Sequence, residues 1–323
     1  AVLCKQYGLP DTLIFEDVPS LVPAAGQVVV SMKAAGVNFP DALIIQGKYQ
    51  MKPPFPFSPG TELAGVVKAV GEGVKQPKPG DAVIAYAGYG GYAEEIAVDA
   101  RACIPMPPGV DFKVAASFMM TYGTSYHALK DRAQIKAGET LLVLGAAGGV
   151  GSAAVELGKL MGARVIAAAS GEDKLDACRQ LGADATINYS SEDLRAGVKR
   201  ITEGKGVDVV YDPVGDKFAE PAMRDMAWGG RYLVIGFAGG EIPKIPLNLP
   251  LLKGFSIVGV FWGNFTRKQP QNNEANVREL LGWIASGKLK PLVSAAYPLA
   301  QAARALNDVL ERRVKGKVVL VPN

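Results

Sequence analysis

One stretch constrains this chain more than any other: Leu141-Leu142-Val143-Leu144-Gly145-Ala146-Ala147-Gly148-Gly149-Val150-Gly151. Its four consecutive apolar residues read as a strand buried on both faces, the pattern of a parallel sheet covered by helices. Glycines follow where the backbone must turn sharply or approach a ligand closely. Ser152 to Met161, with Val155, Leu157, Leu160 and Met161, then reads as a helix. A helix N-terminus offers unpaired N–H groups and a partial positive charge, which suit a pyrophosphate. Strand, turn and helix together predict a dinucleotide site, with Ala147, Gly148, Gly149 and Val150 against the phosphates.

The flanks extend this reading. Candidate strands Thr140–Leu144, Arg164–Ala168, Ala185–Ile187, Val207–Tyr211, Arg231–Ile235 and Ser256–Phe261 alternate with helical segments such as Asp173–Leu181 and Glu192–Thr202. That βαβα alternation predicts a doubly wound parallel sheet with its ligand at the switch point of the strand order. Before it, Val28–Met32, Glu62–Val70 and Asp81–Ala85 are strands separated by glycine and proline turns, the pattern of a compact, mostly antiparallel barrel. Pro53 to Pro59 is an extended loop, either a wall of the site or a plain surface connection. Beyond the sheet come a helix over Glu274–Ser286, a strand over Leu292–Tyr297 and a helix over Leu299–Arg312. The run Lys317–Val321 is strand-like, and is expected to return to the barrel. The expected domains are 1–122 with 265–323, and 123–264; 323 residues suit about two.

Several function classes drop out. The formal net charge is only +4 and the basic residues are scattered, so a nucleic-acid surface is not expected. No apolar run reaches the ~20 residues that cross a bilayer. Cys4, Cys103 and Cys178 are odd in number and far apart, which speaks against a disulfide framework and for a reducing cytoplasm. A catalytic zinc needs about three Cys, His or carboxylate ligands. The single histidine, His127, lies in a helical stretch and reads as a helix-surface residue, and the cysteines show no CxxC spacing. No metal site is expected.

The strand tip Ala167-Ala168-Ala169-Ser170-Gly171 bears on the cofactor. A carboxylate there would accept from a ribose 2′-hydroxyl; none is present at the tip, while Ser170 can donate a hydrogen bond and Lys174 can supply charge to a 2′-phosphate. NADPH is therefore expected over NADH, although Glu172 and Asp173 lie nearby. For the chemistry, Gly36-Val37-Asn38-Phe39-Pro40-Asp41 is followed by Gln46-Gly47-Lys48-Tyr49. The Asn38 amide can orient a carbonyl or a ribose. Asp41 is assigned a structural hydrogen bond. Tyr49 is either a proton donor or a half-buried aromatic beside a turn.

These residues together resemble the zinc-independent quinone oxidoreductase branch of the medium-chain dehydrogenase/reductase superfamily, the zeta-crystallin group. Gly36-Val37-Asn38-x-x-Asp41 matches, as does Pro59-Gly60-Thr61-Glu62-x-x-Gly65, where zinc alcohol dehydrogenases carry His in place of Thr61. The turn Ala146-Ala147-Gly148-Gly149-Val150-Gly151 and Lys159 match too; Ala146 replaces the usual first glycine, and Glu156 stands where Gln is favoured. The resemblance implies a GroES-like β-barrel catalytic domain and a Rossmann domain. It implies that Ser170, Lys174, Tyr189 and Arg313 surround the 2′-phosphate. It places Thr124 on the nicotinamide side and has Gly236, Phe237, Phe261 and Trp262 line the cofactor.

The implied activity is NADPH-dependent reduction of quinones or related activated alkenes. Leu43 stands where several quinone reductases have tyrosine. Ile45-Gln46-Gly47-Lys48-Tyr49 also resembles the enoyl thioester reductases of the same superfamily, in which a tyrosine at that position protonates the substrate α-carbon. The alternative is therefore a 2-enoyl thioester reductase, with Lys48, Lys52, Arg267 and Lys268 available to CoA phosphates. A third reading is a non-enzymatic dinucleotide- or RNA-binding protein. A homodimer is expected through the strand 256–261, an apolar sheet edge.

Overall fold

Six parallel strands form the sheet that the apolar runs predict. In spatial order they are Ala185–Asn188, Arg164–Ala169, Thr140–Leu144, Val207–Asp212, Met226–Val234 and Ser256–Gly259. The computed structural model describes residues 1–323. Numbered along the chain, the sheet runs 3-2-1-4-5-6, the doubly wound order. Its central strands read as continuous apolar runs because both faces are covered: Leu142, Leu144, Ile166, Ala168, Ile187 and Val210 pack with Val198 and Met223 from the helices. The order reverses between Thr140–Leu144 and Val207–Asp212, so the ligand crevice opens beyond their carboxyl ends.

A second sheet is organised around Gln27–Val37, an 11-residue strand. It pairs antiparallel with Glu62–Val70, with Glu95–Asp99 and with Lys317–Val321. Ala82–Tyr86, Cys103–Pro105 and Val293–Pro298 extend the sheet. Val28, Val30, Met32, Ala35 and Val37 pack with Leu63, Val67, Val83, Ile96 and Leu320 in its core. The strand-like run at 317–321 pairs antiparallel with Gln27–Val37, with Val318 opposite Val37 and Leu320 opposite Ala35.

Two compact units result, Ala1–Met120 with Lys290–Asn323, and Thr121–Leu289. The return to the barrel unit thus begins at Lys290, not at residue 265. The cause is a pair of helices, Trp262–Lys268 and Pro270–Ala285. The first carries Arg267 and Lys268 in its last turn. Both pack on the helical run before the sheet: Tyr126 donates to Glu279 at 2.6 Å, and Asn276 to Asp131 at 2.9 Å. His127 is likewise not a surface residue. Its ring is buried and stacks on Phe265 with centroids 3.8 Å apart, and Nδ1 lies 2.8 Å from Asp131. The partner that buries it lies far along the chain, where helical periodicity gives no signal.

Candidate functional site

The strand Thr140–Leu144 runs through a glycine turn into the helix Gly149–Leu160. Gly145 takes φ 57°, a left-handed conformation that favours glycine. Gly151 must lack a side chain, because a Cβ there would stand 2.3 Å from the Gly145 carbonyl oxygen. The helix Gly149–Leu160 therefore starts tight against the strand end, and its N-cap Gly148 brings no capping side chain. Its first N–H groups have no capping side chain. Ser125, unforeseen from the sequence, ties the preceding helix to this turn: its hydroxyl lies 2.9 Å from the Val150 carbonyl and 2.8 Å from the Tyr211 hydroxyl. Thr124 is half-buried on that same helix, Met119–Tyr126. Gly123 admits the buried Trp262 indole, which would lie 2.7 Å from a Cβ at that position. The Trp262 Nε1 donates to Asn273 at 3.1 Å.

Ser170, Lys174 and Tyr189 converge at neighbouring strand tips. Lys174 Nζ donates to Ser170 Oγ at 3.2 Å. Tyr189 N donates to the Ala169 carbonyl, and its ring packs on Phe218 with centroids 4.5 Å apart. Asn188 Oδ1 accepts from Gly171 N and Ser190 N, which shapes the bend between them. Two strands further along, Asp212 Oδ1 accepts from Val214 N and Gly215 N at 2.7 and 2.8 Å, and Tyr232 donates to its other oxygen. Burial pushes the Asp212 carboxyl above the usual range, against these hydrogen bonds. The loop so held reaches Phe237: a Cβ on Gly215 would stand 2.9 Å from that ring. Gly236 and Phe237 follow the strand Met226–Val234, and Phe261 is exposed just after Ser256–Gly259. Arg313 belongs to the other unit, where its guanidinium pairs with Asp308 at 2.6 Å and with Glu311.

In the barrel unit, Asn38 sits at the end of Gln27–Val37, before the short helix Phe39–Ile44. Its amide is engaged on both sides. Nδ2 donates to Glu62 Oε1 at 2.9 Å and to Thr61 Oγ1 at 3.3 Å; Oδ1 accepts from Lys317 Nζ at 2.5 Å. Lys317 Nζ also donates to the Val37 carbonyl and to Glu62 Oε1, at 2.9 and 3.1 Å. Glu62 Oε2 accepts from Met120 N at 2.9 Å. Asp41 takes the structural role expected of it. Its Oδ2 accepts from Asn38 N and from the Tyr92 hydroxyl, both at 2.9 Å. Its Oδ1 has no partner.

The charge count of this cluster is uneven. Two carboxylates, Asp41 and Glu62, are fully buried, and one cation, Lys317, is buried beside them. Lys317 pairs with Glu62, which leaves Asp41 with neutral donors alone. Burial pushes the Asp41 carboxyl up to about 7. Tyr49 packs half-buried against the same core, and its hydroxyl is held above its usual range by burial and by the Asp41 charge. Glu62 enters sequence reasoning only at a strand start and within the family motif, while Tyr92 and Lys317 and their part in this cluster were missed. The available signal was a charge set in otherwise apolar strands, Glu62 before Leu63-Ala64 and Lys317 before Val318-Val319.

No group of three His, Cys, Asp or Glu side chains is placed to hold a metal ion. An ammonium already occupies the Glu62 carboxylate, and a divalent cation there would meet its charge directly.

Comparison with known proteins matches residues 24–108 to the alcohol dehydrogenase GroES-like domain and residues 149–285 to the zinc-binding dehydrogenase family. The donor set does not fit the metal of that second description. A quinone oxidoreductase-like protein 2 homolog of Nematostella vectensis is 40% identical over 99% of this chain and 88% of its own length. A probable oxidoreductase of Mycobacterium abscessus superposes with a TM-score of 0.90 at 39% identity, covering 100% of this chain and 98% of that one. The Escherichia coli quinone oxidoreductase complexed with NADPH gives a TM-score of 0.92 at 31% identity, covering 99% of each chain.

Proposed function

Since the chain belongs to the quinone oxidoreductase branch of the medium-chain dehydrogenase/reductase superfamily, we propose that it is an NADPH-dependent, zinc-independent reductase of quinones. The observation that carries this reading is a pairing of two features. One is an intact nucleotide turn with Ser170 and Lys174 at the adjoining strand tip. The other is a polar centre in the barrel unit whose cation is Lys317, in place of a metal donor set.

The residues present fit the cofactor. The uncapped helix start at Gly149 accepts a pyrophosphate, and Ala147, Gly148 and Val150 bring backbone to it. Ser170 and Lys174 receive the 2′-phosphate, joined by Tyr189. Thr124, Gly236, Phe237, Phe261 and Trp262 line the nicotinamide half. Bound NADPH supplies a hydride. Asn38 acts through the cluster it anchors: its amide is committed to Lys317, Glu62 and Thr61, so it orders the segment that leads to Tyr49. A quinone needs no dedicated acid, because its reduced oxygens take protons from water. Tyr49 is the one half-buried hydroxyl of this segment that can deliver a proton to carbon. Catalysis rests on proximity and orientation.

The protein acts as a homodimer in the cytoplasm. Ser256–Gly259 lies at the edge of its sheet with Ile257 exposed, and Trp228, Leu251 and Leu252 are exposed on neighbouring elements. The three cysteines are free, and no helix is long and apolar enough to cross a membrane. Light scattering should give twice the chain mass of 33.9 kDa; the chain mass itself refutes the dimer.

One plate tests the function: NADPH and NADH against 1,4-benzoquinone, an enal and crotonyl-CoA, with wild type and Tyr49→Phe. Turnover of the quinone with NADPH, retained in Tyr49→Phe, is the expected result. Turnover confined to crotonyl-CoA and abolished in Tyr49→Phe identifies an enoyl thioester reductase. NADPH binding without turnover of any acceptor overturns the enzymatic reading.

A further inference from the structure

Lys317 is the one cation in the interior of the barrel unit's polar cluster, and it reaches that cluster from far along the chain. It stands at the head of Lys317–Val321, 279 residues from Asn38 and 255 from Glu62. Lysine is seldom so buried unless it is paired. Here the ammonium has three acceptors: the Val37 carbonyl, the Asn38 amide oxygen and the Glu62 carboxylate. An ammonium has three N–H donors, so its capacity is filled. No donor is left over for substrate or cofactor.

The three acceptors lie in two different strands and at one junction. Val37 ends Gln27–Val37, Glu62 opens the neighbouring Glu62–Val70, and Asn38 precedes the helix Phe39–Ile44. The same helix carries Asp41, whose carboxylate returns to Asn38 N and Tyr92. Beyond it the chain bends through Gln46 and Gly47 to Tyr49. An amide can be turned end for end at little steric cost, and only its partners decide which end faces where. Lys317 accepts nothing, so it forces the oxygen of Asn38 toward itself and the nitrogen toward Glu62 and Thr61.

We propose that Lys317 is a positioning residue of the reductase: its ammonium locks the Asn38 amide and neutralises Glu62, and so holds the Asn38–Tyr49 segment in its working geometry. The proposal rests on the quinone reductase reading for its kinetic consequence, but not for its structural one. A lysine that served only to balance Glu62 would be dispensable once Glu62 were made neutral. A positioning lysine would not be, because Asn38 would still lack its donor.

The test is a set of three variants, Lys317→Met, Lys317→Met with Glu62→Gln, and Lys317→Arg. Each is read for kcat and KM with 1,4-benzoquinone, NADPH affinity by fluorescence, thermal midpoint, and amide exchange of the Phe39–Ile44 helix by mass spectrometry. Lys317→Met should lower the midpoint and cut kcat by about tenfold to a hundredfold, the range expected for losing a charged hydrogen bond. In the double variant the midpoint should recover most of the way. The kcat should stay down at least tenfold and the helix amides should still exchange faster than in wild type, with NADPH affinity unchanged. Recovery of kcat and exchange together with the midpoint overturns the proposal.

If the methionine variants do not fold, Lys317→Arg decides. It keeps the charge but displaces the donor atoms, so a near-native midpoint with kcat reduced tenfold supports positioning, and native kcat refutes it. Should wild type reduce no quinone, the reductase reading fails by itself. The exchange rate of Phe39–Ile44 then still decides for or against Lys317.

Discussion

Asp41 offers a sharp physical test. Its carboxyl is fully buried, one oxygen has no partner, and the only nearby cation is taken by Glu62. Burial raises its pKa from 3.8 to about 7. The folded protein therefore keeps a proton that the unfolded chain releases above about pH 4. The sign follows from linkage. The contribution of Asp41 to stability is fully present below its unfolded pKa, falls as pH rises from about 4 to about 7, and is constant above that. A shift of about three units corresponds to roughly 4 kcal/mol lost across this window.

Asp41→Asn removes the titration and keeps an oxygen for Asn38 N and the Tyr92 hydroxyl. The stability of the variant relative to wild type should thus rise by up to roughly 4 kcal/mol between pH 4 and pH 8. Trp228, Trp262 and Trp283 all lie in the second unit, so the barrel unit is best followed by pulse proteolysis in urea at four pH values, with its own peptides read by mass spectrometry. A difference between the two proteins that stays constant from pH 4 to pH 8 would falsify the argument. So would a wild type that gains on the variant as pH rises, since Asp41 would then be stabilised as its anion.

Two further substitutions probe the nucleotide unit. Gly151→Ala places a methyl 2.3 Å from a backbone oxygen, so it should weaken NADPH binding more than tenfold and lower the thermal midpoint of the tryptophan signal; native affinity would show that the helix start can shift freely. Lys174→Ala should raise the Kd for NADPH ten- to a hundredfold, the range for a charged hydrogen bond, and leave NADH nearly unaffected. Equal losses for both cofactors, measured by fluorescence titration, would place Lys174 outside the 2′-phosphate site.

What could be read from the sequence was what is local along it. The glycine turn declares itself because strand, turn and helix are contiguous from Leu141 to Leu160. The strand tip at Ser170 and Lys174 follows because four residues on a helix start are neighbours in space. The polar cluster of the barrel unit was half visible. Asn38 and Asp41 stand three apart and can be paired on paper, whereas Tyr92 reaches Asp41 across 51 residues and Lys317 reaches Glu62 across 255. His127 and Phe265 show the same limit, since a ring stack between distant segments leaves no period in either. The helix Trp262–Lys268 escaped notice because its apolar face, Trp262 and Phe265, is short and is completed by Asn273 and His127.

The long span between Glu62 and Lys317 bears on how the chain is made. Residues 121–289 form their unit from one continuous segment, which can close as soon as it has been synthesised. The barrel unit cannot. Its hub strand Gln27–Val37 emerges early with one neighbour still missing, and Glu62 has no cation until residue 317 is added. During that interval the nascent barrel presents an open sheet edge, Ala35 to Val37, beside a carboxylate that cannot yet be buried. A charge beside an open strand is one of the general devices that disfavour pairing with a foreign strand. When Lys317–Val321 arrives, one event supplies the strand that covers the edge and the ion that lets the carboxylate leave water.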